Sequence, residues 1–230
     1  MRPRLRPLTV VPFAVFGLAW LVVAHYGLMI HSIQPDEVIP VAGSRHVLED
    51  PLSALGSGAQ LSGRGLERTL AIVFAFVQWV LGSTASAFKA QHVLSAGSFA
   101  AAVLVVWAWG RRLGLASWQA VVAGALSVCV PWLVLGTSFL NSAPAYSLTT
   151  LALYAMWRAI VEPGLWRDVI ALAALLVLGL TRVGNIPIAA AFPFGIVVYA
   201  LHDRLPGVGV GRALRGLPAR VWREHPLLVA

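Results

Sequence analysis

Two adjacent carboxylates, Asp36 and Glu37, follow the first long apolar run, in the order Gln34-Pro35-Asp36-Glu37. A positioned carboxylate can take the proton of an attacking hydroxyl. Pro35 and Pro40 restrict the backbone on either side of the pair. Acids also end helices and solvate loops, so the pair alone does not define a base. Lys89 is the only lysine, and with Gln91 and His92 it comes just before another apolar run. A cation there can hold a lipid phosphate, and it can equally snorkel to a membrane surface. Arg182, in Thr181-Arg182-Val183-Gly184-Asn185, separates two further apolar stretches. An ionisable group near membrane depth is a functional candidate, although a short-loop charge reads the same way. Arg45 belongs to the polar stretch after the carboxylates, together with His46, Glu49 and Asp50. His31 and His46 lie near acids without tight ligand spacing, so no metal site is expected. His25, inside the first apolar run, is expected to be hydrogen-bonded packing. The sequence contains no phosphate-cradling glycine loop, dinucleotide fingerprint or serine elbow, so no nucleotide cofactor is expected.

The elements that must hold these groups are apolar. The 230 residues are 59% hydrophobic and 11% charged, which excludes a disordered chain and an ordinary soluble domain. Spanning helices are expected over 8–30, 91–110, 117–136, 144–161, 168–182 and 186–201, with a shorter apolar stretch over 70–81. Alternating β-barrel patterning is absent, so the expected fold is an all-α polytopic membrane protein of about six spans. Arg2, Arg4 and Arg6 precede the first run, whose length and lack of a small-x-small cleavage site favour a retained anchor over a signal peptide.

Charge sets the orientation. If 70–81 makes no crossing, twelve of the 17 basic residues fall on the side of the N-terminus and five on the other. If it crosses, the bias reverses. Positive-inside asymmetry therefore places the N-terminus in the cytoplasm and makes 70–81 a re-entrant or surface-lying helix. Residues 31–89 then form one outer loop within a single transmembrane domain. Trp107, Trp109, Trp118, Trp157 and Trp166 fall near one set of boundaries and Trp79 and Trp132 near the other, as in an aromatic belt. The net charge of +8 is assigned to orientation and anionic lipid, not to nucleic acid. Residues 202–225 are read as a basic cytoplasmic segment without helical periodicity. Cys129, the only cysteine, is read as a small packing residue. The run Pro226-Leu227-Leu228-Val229-Ala230 looks like the start of another span, so the chain is expected to be the N-terminal part of a longer protein.

In order, Gln34-Pro35-Asp36-Glu37, Ser44-Arg45, Glu49-Asp50, Gly63-Arg64-Gly65-Leu66-Glu67-Arg68, Lys89, Gly110-Arg111-Arg112-Leu113-Gly114 and Leu180-Thr181-Arg182 resemble the GT-C membrane glycosyltransferases, which include aminoarabinose transferases and protein O-mannosyltransferases. The resemblance covers most of residues 5–200. It implies an inverting transfer from a polyprenyl-phosphate sugar to an acceptor on the outer membrane face, without ATP or a metal. Asp36 would be the base, Glu37 its helper, and Lys89, Arg182, Arg45 and His92 the substrate contacts. The chain departs from the pattern over Thr137 to Pro144, where Asn141 stands and relatives often carry a glutamate.

Two other readings stand beside it. A small polytopic transporter or lipid-handling protein would use the acids for substrate or proton binding. A non-catalytic membrane subunit would keep the fold alone. The expected partners are the sugar-bearing polyprenyl phosphate and membrane lipids, at the plasma membrane.

Overall fold

Residues 11–29 contain no charged side chain, and their apolar residues follow no single stripe. They form helix α1 (Val11–Met29), which is apolar all round. The computed structural model describes residues 10–29, 41, 44–45, 47–50, 65–129, 142–181, 186–204 and 210–226. Among the described residues all regular structure is helical. By contact the chain falls into two compact units, Met1–Thr150 and Leu151–Ala230.

In the first unit, α2 (Gly65–Leu81) is followed by α3 (Thr84–Ala100), α4 (Ala102–Arg112) and α5 (Ser117–Cys129). Gly82, at φ +65°, takes the left-handed conformation that closes α2, and its N–H donates to the Gln78 carbonyl at 2.8 Å. Ser83 caps α3, its hydroxyl accepting from the Ser86 N–H. Ala101 keeps right-handed helical angles between α3 and α4, so Thr84–Arg112 runs as one helix of 29 residues. This helix and α1 are the two among the described residues long and apolar enough to cross a membrane.

These two helices pack antiparallel. Trp20 Nε1 donates to the Val93 carbonyl at 2.8 Å, while Phe13 lies 6.4 Å from Trp107, ring to ring. Moving back along α1 therefore moves forward along α3 and α4. Val23 and Ala24 belong to one buried cluster with Ala96, Phe99, Ala102 and Val103. Small residues let the backbones approach, which suits association in lipid as well as in water. Helix α5 turns back along α4. A Cβ at Gly124 would come within 2.7 Å of the Val103 carbonyl oxygen, so this crossing requires glycine. Tyr146 donates to the Ser127 carbonyl at 2.6 Å and Ser147 to the Phe99 carbonyl at 3.0 Å, tying the start of α6 (Ser142–Val161) to α5 and α3.

Helix α2 buries Phe74 and Ala75 and leaves Ile72, Val73, Phe76, Trp79 and Val80 exposed. It begins at Gly65, before the expected apolar stretch over 70–81, and so includes Glu67 and Arg68.

The second unit holds the later part of α6, then α7 (Leu165–Thr181), α8 (Ile186–Arg204) and α9 (Val210–Glu224). Their extents match the expected apolar runs closely, apart from α9. Residues 202–225 were expected to lack helical periodicity, yet α9 is a strongly amphipathic helix with Pro218 inside it. Leu217 and Val221 are half-buried, and Arg215, Pro218, Ala219, Trp222 and Arg223 are exposed. The glycines and prolines masked a 3.6-residue stripe running through Leu214, Leu217 and Val221.

Two smaller expectations also change. Cys129 is exposed, so it is not a packing residue. His25 is exposed, with its ring edge-on to Tyr26 at 5.9 Å, so it is not buried packing. Of the tryptophans expected at membrane boundaries, Trp79, Trp118 and Trp166 are exposed, and Trp132 lies outside the described residues.

Candidate functional site

Asp36, Glu37 and Arg182 lie outside the described residues. The structure does describe the helices that lead to and from the carboxylates. Met29 lies nine residues beyond Trp20, and Thr84 lies nine before Val93. At 1.5 Å per residue each distance is roughly 13–14 Å, in the same direction along the antiparallel pair. The chain thus leaves α1 level with the first turns of α3. Lys89 is exposed on the second turn of that helix.

The expected boundary before residue 91 moves outward. Because the helix starts at Thr84, Lys89, expected at the end of the outer loop, is a helical residue like Gln91 and His92. Lys89 faces outward, whereas Gln91 and His92 are buried. The His92 ring packs on Phe88, 4.7 Å between centroids. Lys89 and His92, both expected to contact substrate, therefore occupy different environments on one helix.

Arg45 is exposed, while its neighbour Ser44 is fully buried. The Ser44 hydroxyl donates to the Val41 carbonyl at 2.7 Å and lies 3.5 Å from Gln78 Oε1. Gln78 Nε2 in turn donates to Thr84 Oγ1 at 2.8 Å. This polar chain fastens the segment carrying Arg45 to the turn between α2 and α3. The segments of Arg45 and Lys89, far apart in sequence, share the end of the helix pair from which α1 exits.

Deeper in α3, Gln91 Oε1 and Ser95 Oγ are buried with no hydrogen-bond partner among the described residues. They stand one turn apart, and each such atom costs about 1–3 kcal/mol. With His92 they make a polar stretch on the packed side of the helix. Among the described residues, no three of His, Cys, Asp or Glu gather in a way that could hold a metal.

A second polar arrangement escaped the sequence reading. Asp168, in the first turn of α7, meets His225, just after α9, with Oδ1 and Nδ1 2.9 Å apart. Their side chains are 0% and 3% exposed, and Asp168 Oδ2 has no hydrogen-bond partner among the described residues. The signal was present at low strength: His225 continues the α9 stripe at four residues past Val221. Nearby, Glu162 joins Arg158 and Arg167 at 3.3 and 3.0 Å across the turn between α6 and α7.

Comparison with protein-family models, curated proteins and solved structures finds no match to this chain.

Proposed function

We propose that this chain is a multi-pass membrane protein of the GT-C type, transferring a sugar from a polyprenyl-phosphate donor at the non-cytoplasmic face. Asp36 acts as the base and Glu37 assists it. Lys89 is the principal phosphate contact, with Arg45, Arg182 and His92 around the donor. The observation that carries this reading is the antiparallel packing of α1 against α3 and α4. If both helices cross the membrane, the segment joining them begins and ends on one side. Asp36 then leaves the bilayer on the side where Lys89 stands, as a shared site requires. The same geometry supports a 70–81 stretch that makes no net crossing, in agreement with the charge asymmetry.

Length supports the placement of Lys89. A helix of 29 residues is about 43 Å long, against a hydrocarbon core of about 30 Å. The surplus lets the first turns of α3 project into the headgroup layer, where an exposed lysine meets phosphate. During transfer the acceptor hydroxyl loses its proton to Asp36, and its oxygen bonds to the anomeric carbon. The bond from that carbon to the phosphate oxygen breaks. The departing polyprenyl phosphate gains negative charge, and a fixed cation stabilises that change. The exposed apolar face of α2, with Phe76 and Trp79 6.2 Å apart ring to ring, suits a helix lying against lipid tails beside the site.

Sugar transfer from a polyprenyl-phosphate donor in membranes tests the proposal. Asp36→Asn is expected to lower turnover by at least about a hundredfold, the lower range for a lost general base. Lys89→Gln is expected to reduce turnover as well. Undiminished transfer by Asp36→Asn would remove Asp36 from its role.

A second reading has its own observation. Buried Gln91, His92 and Ser95 within one spanning helix resemble the intramembrane polar groups that mark substrate or proton paths. A lipid-handling or transport protein would depend on these three and tolerate Asp36→Asn.

A further inference from the structure

The second unit presents a surface that sugar transfer does not use. Helix α9 carries four arginines against one glutamate. Arg220 is held by Glu224, its Nε 2.8 and 2.9 Å from the two carboxylate oxygens. Arg215 and Arg223 are exposed and share the outer side of the helix with Trp222, which is 61% exposed. The inner side, Leu217 and Val221, is half-buried. The buried Asp168–His225 contact fastens the end of α9 to the first turn of α7. That turn carries a second tryptophan, Trp166, 73% exposed. An outward face of two arginines and a tryptophan has the chemistry of a headgroup-level helix. Tryptophan favours the interfacial layer, and arginine next to it favours anionic phosphate.

We infer that α9 is an interfacial helix that docks on the anionic lipid surface of the membrane in which the chain sits, through Arg215, Trp222 and Arg223. The inference rests on the membrane reading but is independent of glycosyl transfer. The buried Asp168–His225 contact gives α9 a fixed anchoring point, so lipid need not recruit it from a distance. It need only hold a face that the fold already turns outward.

The test uses the full chain in lipid nanodiscs with Cys129→Ser as background and a nitroxide on Ala219→Cys, which lies on the outer side of α9. Discs of phosphatidylcholine alone are compared with discs containing phosphatidylglycerol. In the anionic discs the label is expected to become less accessible to a nickel chelate and more accessible to oxygen. Each arginine at such a surface is worth about fivefold in partitioning, so the added Arg215→Glu and Arg223→Glu changes should abolish the shift. High salt should weaken it. Equal accessibility in both discs, or a shift that survives both charge reversals, would overturn the inference. A chain that inserts in neither disc would overturn the membrane reading and the inference with it. Insertion with an unmoved label would overturn the inference alone.

Discussion

Helices α1 and α9 expose opposite chemistries. On α1 the outward side chains include Phe13, Leu18, Leu21 and Met29, all more than half exposed. On α9 they include Arg215, Trp222 and Arg223. Helix α1 buries Val23, Ala24 and Gly27, while α9 half-buries Leu217 and Val221, so each turns small or branched residues inward. The solvent each outer face calls for sets them apart. A large apolar surface on a monomer signals a missing partner or lipid, whereas arginine beside tryptophan fits the boundary between lipid and water. The difference lies in the surroundings each outer face suits, and it is drawn without reference to any catalytic role.

The comparison can be broken most severely at the outer face of α1. Leu21→Arg puts a charge where lipid is expected and should oppose insertion by about 2.5–3.5 kcal/mol. Alkaline carbonate extraction reads the result, and a helix in a water-soluble fold would accept the arginine without loss. The buried contact that anchors α9 is next. Asp168→Ala leaves His225 buried beside a space and is expected to destabilise the second unit by about 1–3 kcal/mol, the usual cost of leaving a buried polar group without its hydrogen-bond partner. Thermal unfolding in detergent measures this, and Asp168→Asn, which can still hydrogen-bond to the imidazole, should lose less.

Smaller changes sharpen the packing on which the antiparallel arrangement depends. Gly124→Ala pushes a methyl group against the Val103 carbonyl oxygen and should cost about 1–3 kcal/mol as the helices part, measured by unfolding in detergent. Trp20→Phe keeps most of the ring but removes the donor to the Val93 carbonyl. It should cost about 1 kcal/mol by the same measurement.

Much of the helical framework was legible in the sequence, because continuous apolar runs say where a helix is even when they say nothing of its neighbours. The runs beginning near residues 117, 144, 168 and 186 each became a helix at nearly the expected place. The start of α3 was misread because Ser83, Thr84 and Lys89 are polar, and hydropathy reports apolar length where capping decides the first turn. Helix α9 was missed because Gly211, Gly216 and Pro218 obscured its periodicity. The Asp168–His225 contact joins residues 57 apart in sequence, and only the packing of α7 and α9 brings them together. Of the candidate site, Lys89 and Arg45 proved to belong to one end of the first unit. The burial of His92 was hidden because a boundary residue and a helical residue look alike in sequence.

Everything proposed for the site requires Asp36 and Lys89 to face the same compartment. Single cysteines replacing Asp36, Lys89 and Leu115 in a Cys129→Ser background, treated with a membrane-impermeant maleimide on intact cells, test this directly. The expected result is labelling at 36 and 89, and at 115 only after permeabilisation. Labelling of 36 and 89 from opposite sides of the membrane would contradict it.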